Sequence, residues 1–234
     1  MPSTVLDREL YSVAEAADLL GVAVTTLKWW LEGGERQGGL YEPVIRESAT
    51  GSTTVTWGEF VEAGYLREYR RVHHVPLPQV RAFIDALRNA YQIPYPLAHF
   101  KPFVGEGQRL MLQLQQDLEL PVELWAVVSV PGGQALLTAP AESFLSRVDF
   151  SSEGDQWAER LFPAGRESLV VIDPQRSSGI PTIKGIRTEA LAELVDAGEP
   201  AEAVADMFGV AVNLVKAAVS FEWQKTTQEW QESA

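Results

Sequence analysis

Thr25, Thr26, Lys28 and the Trp29–Trp30 pair fall within six residues of one another. Short hydroxyl side chains and a single cation on one helix face suit base edges in a DNA major groove and the phosphates beside it. Other chemistry is thinly represented. There is no cysteine, so there is no thiolate nucleophile, disulfide framework or Cys-ligated metal. His73 and His74 are adjacent and diverge by about 100° on a helix, so they share one ion poorly. His99 stands alone, and Asp155 and Glu159 form a like-charged i, i+4 pair. Gly105-Glu106-Gly107 lacks the strand–turn–helix setting of a nucleotide fingerprint, and no serine sits in a nucleophile elbow. The chain reads as a binding protein, not an enzyme, with no cofactor or metal.

The elements that must carry the polar cluster are legible around it. Ser12 and Glu15 make a capping box ahead of a helix over Val13–Leu20. Gly21 breaks that helix and Val24–Leu31 resumes it. Ala17, Gly21 and Leu27 supply a small crossing residue, a turn glycine and an apolar anchor, the needs of a helix-turn-helix. A helical hairpin that binds nothing meets the same spacing. Tyr41–Arg46, a turn at Ala49–Ser52 and Thr53–Thr56 read as a β-hairpin, a wing in which Arg46, Thr53 and Thr54 reach the DNA backbone. Thr56 and Glu59 cap a further helix through Tyr69. Arg67, Arg70 and Arg71 at its end complement the helix dipole or meet phosphate.

Beyond this, Val80, Phe83, Ile84, Leu87 and Tyr91 share a helical face that serves either a dimer or a packed linker. A proline-broken connector follows. Residues 103–172 read as a small β-rich module: Arg109–Leu114 alternates in part, Leu124–Val130, Gln134–Leu137 and Leu169–Ile172 are strand candidates, and Glu142–Leu145 and Gln156–Leu161 are helical insertions. The GVAV of Gly21–Val24 recurs at Gly209–Val212, with Ala205, Gly209 and Val215 repeating the first spacing. Thr26 is matched there by Leu214, and Trp29 and Trp30 by Ala217 and Ala218. This apolar replacement suggests a face that packs on protein, with Phe221 on the same helix. The fold class expected is α+β: a winged helix-turn-helix domain with its following helix over 1–102, the β-rich domain over 103–172, and a trihelical helix-turn-helix-like domain with a tail over 173–234.

With 46% hydrophobic residues, seven Trp, six Tyr and nine Phe, the chain can fill a core. The net charge of −13 is uneven. Residues 1–102 hold ten basic against twelve acidic residues, and the remainder nine against twenty. The acidic half suits a basic protein partner or simply solvation. No stretch reads as a membrane span or signal peptide, so the expected location is the cytoplasm.

The order YSVAEAADLLGV, TLKWWL, then a wing, over residues 10–72, resembles the winged helix-turn-helix of MerR-like regulators, although Gly33–Gly39 (GGERQGG) is longer and richer in glycine than the usual link. The later DP, GIPTIKGIRT and AGEPAEAVADMFGVAV, over residues 170–224, resemble a small trihelical domain of bacterial type II antitoxins. Many such domains have Thr-Arg where this chain has Ile186-Arg187. Together the two halves resemble the larger VapB-type antitoxins of actinobacteria. The resemblance implies a PIN-domain VapC-type toxin, a Mg²⁺-dependent ribonuclease, as partner, and repression of the chain's own operon by a homodimer on operator DNA. Arg187, and the tail from Glu222 to Ala234, are candidate toxin contacts, Arg187 because an acidic metal site attracts a cation. A structural bond from Arg187 to turn carbonyls is the alternative. Leu214, Ala217, Ala218 and Phe221 are candidate toxin or dimer contacts. A MerR-like regulator whose middle domain senses a small ligand is the competing reading.

Overall fold

Ser12 sets the start of the fold. In the computed structural model, which describes residues 5–36, 38–72, 77–122, 125–129, 135–152, 154 and 156–232, β1 (Glu9–Ser12) runs directly into α1 (Val13–Leu20). The capping box closes as expected: the Glu15 N–H donates to the Ser12 hydroxyl at 3.2 Å and the Ser12 N–H to the Glu15 carboxylate at 2.7 Å. Hydrogen bonds to the carboxylate from the Ser12 backbone N–H and then from its side chain hold the Glu15 carboxyl below its usual pKa. Gly21 stops α1 at φ 59°, ψ 47°, a left-handed conformation that costs glycine little. α2 (Val24–Glu32) follows. Ala16, Ala17 and Leu20 of α1 and Leu27, Trp30 and Leu31 of α2 are buried, so the helix-turn-helix has its own apolar seam.

The hairpin differs from the one expected. The glycine-rich link itself folds into it: β2 (Gly34–Arg36) pairs antiparallel with β3 (Gly39–Tyr41). Gly33 explains the preference. Its φ is 62°, and a Cβ there would lie 2.1 Å from the Tyr41 carbonyl oxygen, so only glycine lets the two backbones approach. Pro43–Arg46 is not a strand. The N–H groups of Val44 and Ile45 instead donate to the Trp30 carbonyl at 2.8 and 2.9 Å, which satisfies the open end of α2. β4 (Thr54–Thr56) pairs antiparallel with β1, far along the chain, and not with Tyr41–Arg46. Thr56 and Glu59 then form the second capping box, opening α3 (Trp57–Val72).

α4 (Leu77–Tyr91) buries the expected face of Val80, Phe83, Ile84, Leu87 and Tyr91 inside the chain, so that face is not offered to a second copy. Arg109–Leu114 belongs to a helix, α5 (Glu106–Asp117), and not to a strand. Its inward side chains are Met111 and Gln115, one helical turn apart. Gln115 is fully buried, and its amide acts as a strand partner. It accepts from the Ala126 and Val127 N–H groups at 2.8 and 3.2 Å and donates to the Val127 carbonyl at 2.8 Å. β5 (Val127–Ser129) pairs with β6 (Ala135–Leu137), α6 (Ala139–Leu145) follows, and β7 (Val148–Phe150) pairs with β8 (Ala158–Leu161). The expected helix over Gln156–Leu161 is therefore a strand. Its backbone is bonded to β7 and, through Leu161 and Ile172, to the next segment.

The last part is a short hairpin, β9 (Thr182–Ile183) and β10 (Ile186–Arg187), and three helices: α7 (Thr188–Asp196), α8 (Ala201–Phe208) and α9 (Val212–Glu232). α9 carries the tail on as continuous helix to Glu232, while Ser233 and Ala234 lie outside the described residues. Among the described residues the sheets are two-stranded and antiparallel, set among helices, an α+β fold. One buried cluster takes in residues from Leu6 to Ile172, and a second is built from Val170 to Phe221. Among the described residues no single helix is long and apolar enough to cross a membrane.

Candidate functional site

Thr25 and Lys28 are exposed on the outer face of α2, Thr26 and Trp29 are half-buried, and Trp30 is in the core. Trp29 packs its ring 5.7 Å from that of Tyr41 and beside Gly34. It therefore braces β2–β3 against α2. Lys28 is the one cation of α2, and β3 leaves Leu40 exposed at the hairpin.

Arg46 is not on the surface. Its side chain is 6% exposed and lies between Glu32 and Glu59. Nε and Nη2 donate to the two Glu59 carboxylate oxygens at 2.6 and 3.1 Å, Nη2 also to the Thr54 carbonyl at 2.7 Å, and Nη1 to the Thr50 hydroxyl at 2.8 Å and to Glu32. Burial disfavours its charge, but the two carboxylates outweigh that and raise its pKa. Burial likewise pushes Glu32 up, yet the Gly51 and Thr50 bonds and the Arg46 charge hold it below its usual value. The expected phosphate contact is thus the clamp that holds the 43–54 segment to α2 and α3. Thr54 is half-buried beside this clamp and Thr53 is exposed, its carbonyl accepting from the Val13 N–H at 3.2 Å.

The second helix-turn-helix repeats the first closely. Gly209 sits at φ 65°, ψ 35°, its N–H directed to the Ala205 and Asp206 carbonyls as that of Gly21 is to Ala17 and Asp18. The Val22 N–H reaches the Ala17 carbonyl, and the Val210 N–H that of Ala205, both at 3.0 Å. Lys216 occupies the place of Lys28, and both are exposed, as are Asn213 and Thr25. The expected protein-facing residues behave differently. Leu214, Ala218 and Phe221 are buried in the chain's own second cluster, with Ala217 packed against it. They are core, because α7 and α8 already cover that side of α9. Arg187 is exposed at the N-cap of α7.

The two copies are tied together by contacts that spacing along the chain does not reveal. The Tyr11 hydroxyl donates to the Gly179 carbonyl at 2.7 Å, and Arg8 to the Pro174 carbonyl at 2.7 Å. Burial, with some help from Glu15, raises the Tyr11 pKa well above the usual tyrosine range. Lys225 of α9 pairs with Asp18 of α1 and with Glu222, each at 2.9 Å. Burial lowers the Lys225 pKa, but the bonds to Asp18 and Glu222 more than offset this and raise it.

Three buried residues, Glu62, Arg88 and Trp57, make contacts that no spacing along the chain reveals. Glu62 is fully buried, accepts from the Leu97 N–H at 3.1 Å and lies 3.4 Å from Arg88. Arg88 also pairs with Asp85 at 3.0 Å. The Trp57 indole donates to the Ala158 carbonyl at 2.7 Å, joining α3 to β8. Among the described residues no group of three or more His, Asp or Glu side chains could hold a metal ion. His73, His74, Asp155 and the side chains of Arg70 and Arg71 lie outside the described residues.

The described residues thus form an α+β fold with one helix-turn-helix at α1–α2 and a second at α8–α9. No family model matches the chain. It is 33% identical over 238 residues to the uncharacterized protein Rv2308 of Mycobacterium tuberculosis, across 94% of this chain and 92% of that one, and it belongs to the same family. It is 27% identical over 232 residues to the M. tuberculosis protein named "Putative antitoxin VapB45", across 91% of this chain and 93% of that one. This is an antitoxin-like resemblance over nearly the full length. The crystal structure of Rv2018 from M. tuberculosis matches 92% of this chain and 100% of its own, with a TM-score of 0.71 at 26% identity.

Proposed function

We propose that this chain is the antitoxin of a type II toxin–antitoxin pair. In this reading it binds and neutralises a PIN-domain, VapC-type ribonuclease toxin and represses its own operon, acting in the cytoplasm as a binding protein and not as an enzyme. The observation that carries the reading is the match to VapB45 along almost the whole of both chains. Two features of the surface support the division of labour. The N-terminal copy offers Thr25 and Lys28 on the outer face of α2, with the β2–β3 hairpin braced beside it, as a winged DNA reader of the MerR-like kind would. The C-terminal copy is acidic: nine acids stand against two lysines between Thr188 and Glu232, a poor match for phosphate and a good one for a basic protein surface. A homodimer on a two-fold operator completes the reading, through a surface other than the buried faces of α4 and α9.

Co-expression with the protein encoded beside this chain tests the pairing. A stable complex and relief of growth arrest are expected, and arrest that persists with no complex sinks the antitoxin reading. For the operator, Lys28→Glu should abolish the gel shift and leave the fold intact, while the wild-type affinity falls steeply with salt. A shift unchanged by Lys28→Glu removes α2 as the reader.

A further inference from the structure

Among the described side chains Trp223 is the one exposed tryptophan, at 55%, and it is not loose. Its indole N–H donates to the Asp196 carboxylate at 3.0 Å, which holds the ring of α9 against α7. Val195, Ala201, Val219 and Trp223, together with the polar side chains of Lys216, Ser220 and Gln224, line an open groove of 520 Å³ between the three C-terminal helices. An aromatic wall fixed before binding loses little entropy when a partner arrives, and tryptophan in such a pocket is a typical anchor point of a protein interface.

The rim says what would fill it. Asp196, bonded to Trp223, and Glu202 are exposed beside the groove, and the Lys216 charge is already met by Glu202 at 3.4 Å. An apolar floor inside an acidic frame complements a helix that is apolar on one stripe and cationic on its flanks. A nucleic acid or an anionic bilayer would be repelled by the same frame, and a second copy would bring like charge to like. We propose that this groove docks a basic amphipathic helix of the partner protein; within the antitoxin reading, on which this assignment of the partner rests, that helix belongs to the toxin.

The probe is a synthetic helix of about 18 residues, five turns, with leucine at i, i+3, i+4 and i+7 and lysine elsewhere, titrated into the full-length chain by calorimetry. A counterpart with glutamate for lysine is the control. Micromolar binding of the lysine peptide is expected. The glutamate peptide and the Trp223→Ala chain should each bind about tenfold more weakly or worse. Lys216→Glu removes the cation that lines the groove and should tighten the lysine peptide severalfold. This second variant reports on the groove even where Trp223→Ala lowers the melting temperature. Equal binding of both peptides, or lysine-peptide affinity indifferent to Trp223→Ala, overturns the proposal, since diffuse attraction to an acidic surface would give either result. Sedimentation showing dimers that dissociate on Trp223→Ala gives the groove to a second copy and overturns it too. A toxin complex that forms regardless of Trp223 leaves the antitoxin reading standing and removes the groove from it. Peptide binding that needs Trp223, without any toxin complex, does the reverse.

Discussion

Arg46→Met separates a structural clamp from a DNA contact. The substitution keeps an unbranched side chain of comparable reach and deletes the guanidinium. Glu59, 8% exposed, then keeps only its bond from the Thr56 N–H at 2.9 Å, and Glu32, 15% exposed, keeps those from Thr50 and Gly51. Both carboxylates remain where their opposite charge has gone. Breaking a buried pair by removing one partner costs about 3–5 kcal/mol. At a urea slope near 2 kcal/mol/M, the midpoint falls by about 1.5 M or more. Fluorescence and circular dichroism should be followed together, since two core clusters can unfold separately. The deficit should persist at about 1 M salt, because buried pairs are weakly screened. Adding Glu32→Gln and Glu59→Gln to Arg46→Met removes the stranded charges and should recover at least half of the loss. A cost below about 1 kcal/mol, together with a drop in operator affinity, would refute the clamp and return Arg46 to the DNA.

Two further perturbations follow from the geometry. Burial pushes the Glu62 carboxyl up to about 7 from 4.5, against the pull of Arg88 and the Leu97 N–H. Because the folded value is the higher one, its contribution to stability is present below pH 4.5 and is lost as pH rises through 7. Glu62→Gln should therefore flatten the urea midpoint across that window, and an unchanged slope would place the titration elsewhere. Gly209→Ala meets no atom within 4 Å, so its cost is that of a left-handed alanine alone, about 1–2 kcal/mol. Gly179→Ala adds to the same strain a Cβ at 2.4 Å from the Tyr11 hydroxyl, and it should lower the melting temperature by more; equal losses would mean that the junction yields freely.

Local rules carried much of the fold. Both capping boxes, both turn glycines and the inward face of α4 were legible because each depends on neighbours within a turn or two of chain. Failure came where distant backbone decides. Leu110, Met111, Leu112 and Leu114 partly match a strand period and a helix period at once, and the arbiter is Gln115, which reaches across to β5. The strand at Ala158–Leu161 depends on pairing with β7, and Ala158 also takes the Trp57 bond from 101 positions earlier. The hairpin moved because Gly33 permits an approach that Pro43–Arg46 cannot make. Arg46 was misread for a related reason: a cation beside a turn looks solvent-bound until its two acids, 14 residues before and 13 after, are folded onto it.

The paired lysines show how close the sequence came to separating surface from core. Lys28 and Lys216 hold the same place in both copies, and both point outward. The pattern thus marked the outer face of each second helix, and the apolar replacements at Leu214 and Ala218 lay on the other one. Comparing the copies position by position measures how each seam is packed, with Trp30 filling the first and Ala218 the second. It does not measure what each copy meets. That difference lies outside the motif. In the first copy, the hairpin beside α2 extends its outer face. In the second, α9 runs past the motif to place Trp223 beside Asp196 and Lys225 against Asp18. Trp223 lies two residues before the lysine that ties α9 to α1. A partner that shifts the end of α9 therefore acts two residues away from an ion pair on the first copy's opening helix. One repeated scaffold carries two different surfaces, and α9 joins them alongside the Tyr11 and Arg8 bonds to the 174–179 segment.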